Sequence, residues 1–284
     1  MTVADPSLTD APQPIRGPSA LGGGRRRFWY LTWLTAKSDY KQRYADSTFS
    51  YLWTILRPLM LFGILYLVFT RIVRFGGQIP DYPVILLLNI VLFQFFAEST
   101  NRSVRALTAR GLVRKMNIPR LMLPVSGVVT VALVSISAIL IVFVWILAYG
   151  VTPMWTWFLF PVIAAAVIAV TLATAVLVSA LYVTHRDVAQ VWPVFTRLLF
   201  YGSTVIFPIE FLPSGFLHDV EVVNPLSPIF VQARVWIIDS HAPGWIDASG
   251  SVLGAIAPLL SFAAICIAAV LLFRRASRIV AEEL

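Results

Sequence analysis

The stretch RALTARGLVRKMNIPRLMLPVSGVVTVALVSISAILIVFVWILAYG, residues 105 to 150, joins a basic segment to a long apolar one. Five Arg and Lys residues lie in its first sixteen positions, whereas residues 123 to 149 carry no charge. A helix of roughly 20 apolar residues crosses the hydrocarbon core of a bilayer, which is about 30 Å thick. The stretch therefore predicts a transmembrane helix that follows a basic loop.

The composition extends this interpretation to the whole chain. Of its 284 residues, 58% are hydrophobic and 13% are charged, and the mean hydropathy is +0.81. These values are typical of a polytopic membrane protein. The 22 basic residues exceed the 14 acidic ones, but they lie in short blocks between apolar runs, so we expect no nucleic-acid partner. The single Cys266 excludes a disulfide framework, and the spacing of the three histidines predicts no metal site.

The same length criterion predicts six transmembrane helices, near residues 51–70, 82–99, 123–149, 155–183, 189–207 and 251–273. Most Lys and Arg residues precede the first span or lie in the second loop, the fourth loop and the C-terminus. Cytoplasmic loops carry such an excess, so we predict that both termini are cytoplasmic. The predicted fold class is all-α integral membrane. It comprises a disordered cytoplasmic tail (1–27), a transmembrane domain (28–275) and a cytoplasmic C-terminus (276–284).

An amphipathic helix is predicted between the tail and the first span. Trp29, Trp33, Ala36, Tyr40 and Tyr44 recur at steps of three or four, and the charged residues fall elsewhere on the helical wheel. A helix with aromatic residues on one face and basic residues on the other lies in the membrane interface. The alternative is a helix that packs on a soluble domain.

The connection of about 208 to 250 is long and apolar, but prolines interrupt it. The segments PIEFLPSGFL and PLSPIFVQARVWII are too short to span a bilayer, so we predict two short re-entrant helices. Irregular backbone at membrane depth must be buried in protein or line an aqueous cavity. We therefore predict an outer gate; an amphipathic surface loop is the alternative. The candidate gate residues are Pro208, Glu210, Pro213, Asn224 and Pro225.

No catalytic motif is present in the sequence. None of the three lysines completes a phosphate-binding G-x-x-x-x-G-K-[ST] loop, and neither G-x-S-x-G nor H-E-x-x-H occurs. We therefore predict no enzyme activity and no cofactor in this chain. Charged residues within spans indicate function by default, and Arg57 and Arg197 are such residues. Arg57 has the alternative of snorkelling to the interface.

Aromatic residues also lie near the predicted interfaces. Aromatic belts explain most of them, but flat rings can also stack on sugar faces. Tyr51, Trp53 and Tyr201 are therefore candidates for a glycan path. Together with Arg57 and Arg197, they make up the predicted substrate path.

Four stretches resemble the permease subunits of polysaccharide-exporting ABC transporters, the Wzm-like group. They are DYKQRYADSTFSYLWTILRPL (39–59), LVRKMNIPRLMLP (112–124), HRDVAQVWPVFTRLLFYGSTVIFP (185–208) and VVNPLSPIFVQAR (222–234). Their order along the chain matches the order in that family. Two positions depart from the family pattern: Ser50 replaces a Gly, and Arg57 replaces a small polar Asn.

The resemblance implies a function and a set of partners. The second cytoplasmic loop would form a coupling helix that docks on an ATP-binding subunit through Arg102, Arg105, Arg110, Arg114 and Lys115. The chain would pair with a second copy of itself and with two ATP-binding cassette subunits, which bind the ATP and Mg. This assembly would export a lipid-linked polysaccharide, such as O-antigen or galactan on polyprenyl diphosphate, across the bacterial inner membrane.

Two alternatives remain at this point. The first is a permease of similar architecture that exports drugs or small lipids. An integral-membrane glycosyl- or acyltransferase would act without ATP, but it would need an acidic or His site within a span, and the sequence offers none.

Overall fold

The structure is a computed structural model that describes residues 24–44, 48–74, 76, 79–108, 119–212 and 215–282. Every regular element within these residues is helical. The α-helices are α1 (Arg25–Tyr44), α2 (Thr48–Leu67), α3 (Tyr82–Ser103), α4 (Met122–Tyr149), α5 (Phe160–Thr184), α6 (Val188–Gly202), α7 (Phe216–Val223), α8 (Ser227–Ile237), α9 (Trp245–Ala248) and α10 (Val252–Glu282). A π-helical turn, Val68–Ile72, extends α2, and 3-10 turns lie at Ala106–Thr108, Trp155–Leu159 and Ile209–Phe211.

Five of the six predicted spans are confirmed as helices long and apolar enough to cross a membrane. They are Leu52–Ile72, Tyr82–Thr108, Met122–Tyr149, Trp155–Thr184 and Val252–Ser277. The predicted fifth span, 189–207, differs because its helix α6 has only 15 residues, a length of roughly 22 Å. Beyond it, non-helical backbone carries the chain to Phe207, whose ring packs edge-on against Phe69 at a centroid distance of 5.0 Å.

The 188–207 segment runs antiparallel to α3. Asn101 Nδ2 donates to Thr196 Oγ1 at 3.3 Å, and Asn89 Nδ2 donates to Thr204 O at 3.3 Å. These two contacts are separated by about 18 Å of α3, given a rise of about 1.5 Å per residue. Helix α6 and the residues after it therefore follow α3 along most of its length.

One end of the bundle gathers the N-terminal helix and the end of α10. Arg102, in the last turn of α3, donates from Nη2 to Asp39 Oδ2 of α1 at 2.7 Å. Arg120, which precedes α4, donates to the Ser277 carbonyl of α10. We call this end the basic end and the opposite one the distal end. Helix α1 and the last described turns of α10 thus lie at the same end of the molecule.

The position of α3 explains its residue composition. In the most apolar window of each span, 83% of α3 is buried, against 17% for α2 and 11% for α10. Helices α2, α4, α5 and α6 all pack against α3. The window of α3 is also the least apolar of the five, with a mean hydropathy of 1.6, and its Asn89 and Asn101 find partners within the bundle. Helix α3 is therefore the central element, and α2 and α10 are peripheral.

The predicted interface helix is present as α1 and packs against α4. Ala36, assigned to the apolar face of an interface helix, is fully buried within the protein, and its carbonyl accepts a hydrogen bond from Thr130 Oγ1 at 3.5 Å. Trp29 and Trp33, which were assigned to the same face, are 59% and 51% exposed. Trp29 borders an apolar groove of about 670 Å³ between α3, α4 and α5. Its position in a membrane interface stays a prediction.

Two short helices, α7 and α8, occupy the long fifth connection. Their turn lies inside the bundle: Ser261 Oγ donates to Val223 O at 2.6 Å, and the ring centroids of Phe230 and Phe93 lie 6.5 Å apart. Phe93 is about 16 Å from the distal end of α3, by the helical rise. The last turn of α8 returns to the distal connection between α4 and α5. We call Phe216–Ile237 the hairpin.

Candidate functional site

The predicted gate residues lie around the hairpin. Pro208 is buried, and Asn224 is only 8% exposed at the turn between α7 and α8. Pro225 lines an apolar cavity of about 370 Å³ between α5, α8 and α10. Glu210 forms an ion pair with Arg234. Pro213 lies outside the described residues.

Glu221 in α7 is the centre of this region, with only 1% of its surface exposed. Its Oε2 accepts hydrogen bonds from the Thr204 backbone N–H at 3.0 Å and from Ser227 Oγ at 2.5 Å. Asn224 Nδ2 lies 3.3 Å from its Oε1. A buried carboxylate is tolerated when donors satisfy its oxygens. We call Thr204, Glu221, Asn224 and Ser227 the hairpin joint.

The electrostatics of the hairpin joint follow from burial. Removal from water raises the pKa of the Glu221 carboxyl above its ordinary value, because burial penalises the charged form. The hydrogen bonds from Ser227, Thr204 and Asn224 act in the opposite direction, since they favour the carboxylate. The joint therefore links a carboxyl of raised pKa to donors from two parts of the chain, the segment after α6 and the turn of the hairpin.

A second contact ties the same two parts together. Arg234 of α8 donates from Nη1 to the Glu210 carboxylate, at 3.4 Å from Oε1 and 3.3 Å from Oε2. Arg234 is 9% exposed. Asn89, Thr204, Glu210 and Arg234 line one small cavity at the contact between α3, the 203–211 segment and α8. The non-helical segment after α6 is thus held to the hairpin at two points and to α3 at one.

The sequence analysis missed Glu221, Arg234, Ser227 and Thr204. The signal that was available is the spacing in EVVNPLS, residues 221–227, where Glu221, Asn224 and Ser227 recur at every third position between apolar residues. Thr204 had no such signal, because its contribution is a backbone N–H that the tertiary fold brings to the carboxylate. Arg234 lies in the predicted fifth loop, and nothing in the sequence indicated that it pairs with Glu210.

The predicted substrate-path residues lie on two helices that both pack against α3. Trp53 and Arg57 are exposed on α2, and Arg197 and Tyr201 are exposed on α6. Tyr51 belongs to α2, but its side chain lies outside the described part of the structure. The two pairs are therefore placed on separate helix faces, each in the neighbourhood of the central helix.

These two faces also carry apolar stripes. The exposed apolar residues recur every three or four positions, at Leu52, Leu56, Met60, Ile64 and Leu67 on α2 and at Val191, Val194, Phe195 and Leu198 on α6. In a membrane, such a stripe meets either lipid or another protein surface. In the single chain, both stripes are uncovered.

The predicted coupling residues are only partly described. Arg102 pairs with Asp39, and their side chains are 19% and 35% exposed. Its guanidinium therefore holds α1 to the end of α3 within the chain. Arg105 is exposed, in the short turn that follows α3. Arg110, Arg114 and Lys115 lie outside the described residues.

Comparison with known proteins identifies a family and relatives that this chain resembles. Residues 30–238, from α1 through α8, match the model of the ABC-2 type transporter family. The chain is 29% identical over 199 residues to the O-antigen export system permease protein RfbA of Klebsiella pneumoniae, covering 69% of this chain and 75% of that protein.

Two further relatives extend this similarity. An RfbA of Myxococcus xanthus is 27% identical over 207 residues, or 72% of this chain and 79% of that protein. The polysialic acid transport protein KpsM of Escherichia coli is 24% identical over 228 residues, covering 74% and 80%. The resemblance drawn from the sequence is thereby confirmed, and the chain belongs to the ABC-2 type transporter family of membrane proteins.

Proposed function

We propose that this chain is the channel-forming subunit of an ABC transporter that exports a lipid-linked polysaccharide. In this proposal, two copies enclose the passage, and two separate ATP-binding subunits drive it. The chain is proposed to cross the membrane six times, the sixth crossing being the 188–207 segment in addition to the five long helices, so both termini lie on one side. The distribution of Lys and Arg supports the cytoplasm as that side. The names of the relatives support a polysaccharide as the class of cargo.

The observation that carries the proposal is the pair of uncovered faces on α2 and α6. Both lie beside the central helix α3, and both combine an apolar stripe with aromatic and basic residues. Lipid alone needs only an apolar face, and Arg residues within spans are costly there. A second copy of the chain would cover the apolar stripes, and the polar residues would then face the passage between the copies.

The chemistry of these faces suits an anionic glycolipid. Arg57 and Arg197 would pair with the diphosphate of a polyprenyl carrier, since guanidinium groups bind phosphate with charge-assisted hydrogen bonds. Trp53 and Tyr201 would provide flat surfaces for sugar rings. Weak, repeated contacts of this kind allow a polymer to slide. O-antigen-like glycan and galactan are the cargoes that we favour.

The basic end is the proposed docking surface for the ATP-binding subunits. Arg105 is exposed there, and the sequence places Arg110, Arg114 and Lys115 in the same loop. A cluster of positive charge steers and orients an acidic partner surface. The Asp39–Arg102 ion pair would then transmit movement of this loop to α1.

A permease for drugs or small lipids is the second candidate. The apolar groove of about 670 Å³ between α3, α4 and α5, which Trp29 borders, favours it because the groove is wide enough for a hydrocarbon chain. The basic residues on α2 and α6 favour a phosphate-bearing cargo instead.

Depletion of the protein in its native cell tests the proposal. The polyprenyl-linked glycans of depleted and normal cells would be compared by mass spectrometry and sugar analysis. We expect a long lipid-linked polymer to accumulate inside depleted cells, and its sugars would identify the cargo. An unchanged profile would favour drug or small-lipid efflux.

Cysteine cross-linking tests the proposed dimer. In a Cys266→Ser background, Leu198→Cys on α6 should form a disulfide between copies in native membranes, because this residue is 67% exposed on the proposed interface. Leu140→Cys on α4, at 61% exposure, is the matched control and should remain monomeric. Equal cross-linking at both positions would argue against the α6 interface.

A further inference from the structure

We propose that Glu221 is a positioning residue. Its hydrogen bonds make the hairpin move as one body with the non-helical backbone that follows α6. This inference rests on the proposed transport function. Glu221 belongs to the hairpin, whereas one of its donors, the Thr204 backbone N–H, belongs to the non-helical segment that ends the 188–207 crossing. The carboxylate is thus a direct link between a crossing segment and the hairpin.

The link is suited to transmitting movement because it is short, buried and charge-assisted. Ser227 Oγ lies 2.5 Å from Glu221 Oε2, and Glu221 is 1% exposed. Hydrogen bonds to an ionised group in a dry environment are stronger than neutral ones. A rotation of the backbone at Thr204 therefore displaces Glu221, and α7 and the start of α8 follow.

The two sides of the joint have different further contacts. Thr204 O accepts from Asn89 Nδ2 of the central helix, which anchors the crossing segment to the core. The hairpin has anchors of its own: Ser261 Oγ of α10 donates to Val223 O near the turn, and the last turn of α8 is held by Thr156 and Trp157. Loss of the Glu221 contacts would therefore uncouple the hairpin turn from the 203–207 segment, which Asn89 still holds to α3.

Two cysteine reporters separate these two sides. Ser203→Cys reports on the crossing segment and Leu226→Cys on the hairpin turn, and both positions are 1% exposed. Each is introduced into the Cys266→Ser chain, in vesicles that contain the co-purifying ATP-binding subunit. The label is a membrane-impermeant maleimide applied from the distal side. With Glu221 intact, both reporters should be protected at rest and become labelled together when ATP is added.

The test variant is Glu221→Gln, which keeps the size of the side chain but replaces one acceptor oxygen with a donor. We expect the labelling rate of Leu226→Cys at rest to rise about tenfold, the effect of losing one charge-assisted hydrogen bond. Ser203→Cys should stay protected, and ATP-driven export of the native glycan should fall by a similar factor. Asp219→Asn, the matched control in α7 with a side chain that is 82% exposed, should change neither readout.

Ser227→Ala is a second test variant, for use if Glu221→Gln accumulates poorly. It removes one hydrogen-bond donor and leaves the Glu221 carboxylate in place. It should raise Leu226→Cys labelling and leave Ser203→Cys unchanged. Parallel labelling of both reporters in either variant, at the rate of the unmodified chain, would overturn the proposal.

Glycan export by the unmodified chain distinguishes failure of the proposal for Glu221 from failure of the proposed function. If the unmodified chain exports no glycan, the function is wrong, but labelling still measures the joint because it does not depend on the cargo. If the unmodified chain exports glycan and Glu221→Gln exports it at the same rate, only the role of Glu221 is wrong.

Discussion

The two ends of the molecule use charge in opposite ways. At the basic end, exposed residues such as Arg105, Arg274 and Arg275 face away from the bundle. At the distal end, Glu221 and Arg234 are buried and bonded to other parts of the same chain. Exposed charge is available to a partner, whereas buried charge fixes the internal geometry. In the proposed function, the basic end receives the partner and the distal end holds the gate.

The largest expected effect is at the distal end. Glu221→Ala leaves the donors of Thr204, Ser227 and Asn224 without their acceptor, and unpaired buried groups cost about 1–3 kcal/mol each. We expect a loss of about 3 kcal/mol in the free energy of unfolding, because some donors relax to other partners. Thermal unfolding in detergent measures this loss. Asp219→Ala, at an exposed position in the same helix, should have little effect; equal losses for both variants would contradict the comparison.

Charge reversal in the predicted second loop should impair association and leave folding intact. Arg114→Glu with Lys115→Glu replaces attraction to an acidic partner surface with repulsion. We expect at least about a tenfold weaker association with the ATP-binding subunit, which corresponds to about 1.4 kcal/mol. Co-purification quantifies this, with membrane insertion as the folding check. Arg274→Glu with Arg275→Glu is the matched control, because it also reverses two positive charges. Undiminished co-purification of the variant at Arg114 and Lys115 would count against a coupling role.

The ion pair between α1 and α3 should contribute less than the hairpin joint. Asp39→Asn removes the partner of Arg102, but both side chains are partly exposed, and such pairs contribute about 1 kcal/mol or less. We expect a small decrease in unfolding temperature and faster proteolysis near α1. A loss of stability as large as that of Glu221→Ala would contradict the expectation that this ion pair contributes less than the hairpin joint.

The pH dependence of Glu221 is the smallest predicted effect. Burial raises its folded-state pKa above the ordinary value of 4.5. Between these two pKa values the folded chain keeps a proton that the unfolded chain has lost, so stability falls as pH rises through this window. Unfolding temperatures of the unmodified chain and Glu221→Gln, measured from about pH 4.5 upward, isolate this contribution. The neighbouring ionisable residues His218, Asp219 and Glu210 are present in both proteins, so the comparison isolates Glu221. A difference that does not vary with pH would contradict the raised pKa.

Much of the fold could be predicted from the sequence because the bilayer constrains it. Runs such as residues 123–149 must be helical, since no water is available there for the backbone. The 189–207 segment was harder to predict because hydropathy does not reveal where a helix stops. Its helix ends at Gly202, and the following backbone is held by Asn89 and Glu221, which are distant in sequence.

The candidate site was less predictable than the fold. The prolines led to a predicted gate in this segment, and the structure shows Asn224 and Glu210 bonded to Glu221 and Arg234, respectively, but their role in a gate stays a prediction. Nothing in the sequence indicated that Glu221 is the acceptor for several donors, because Thr204 contributes only its backbone N–H. In the proposed dimer, exposed residues such as Trp53 and Tyr201 lie beside a second copy, so the single chain does not test their predicted role.

Reconstituted transport is the most direct test of the account. The chain and its co-purifying ATP-binding subunit would be placed in proteoliposomes with the native lipid-linked glycan, and an impermeant glycosidase would report which side the glycan occupies. The account predicts that the glycan changes sides only with ATP and only when this chain is present. No ATP-dependent change for the glycan, with ATP-dependent movement of a drug or short-chain lipid in the same vesicles, would contradict it.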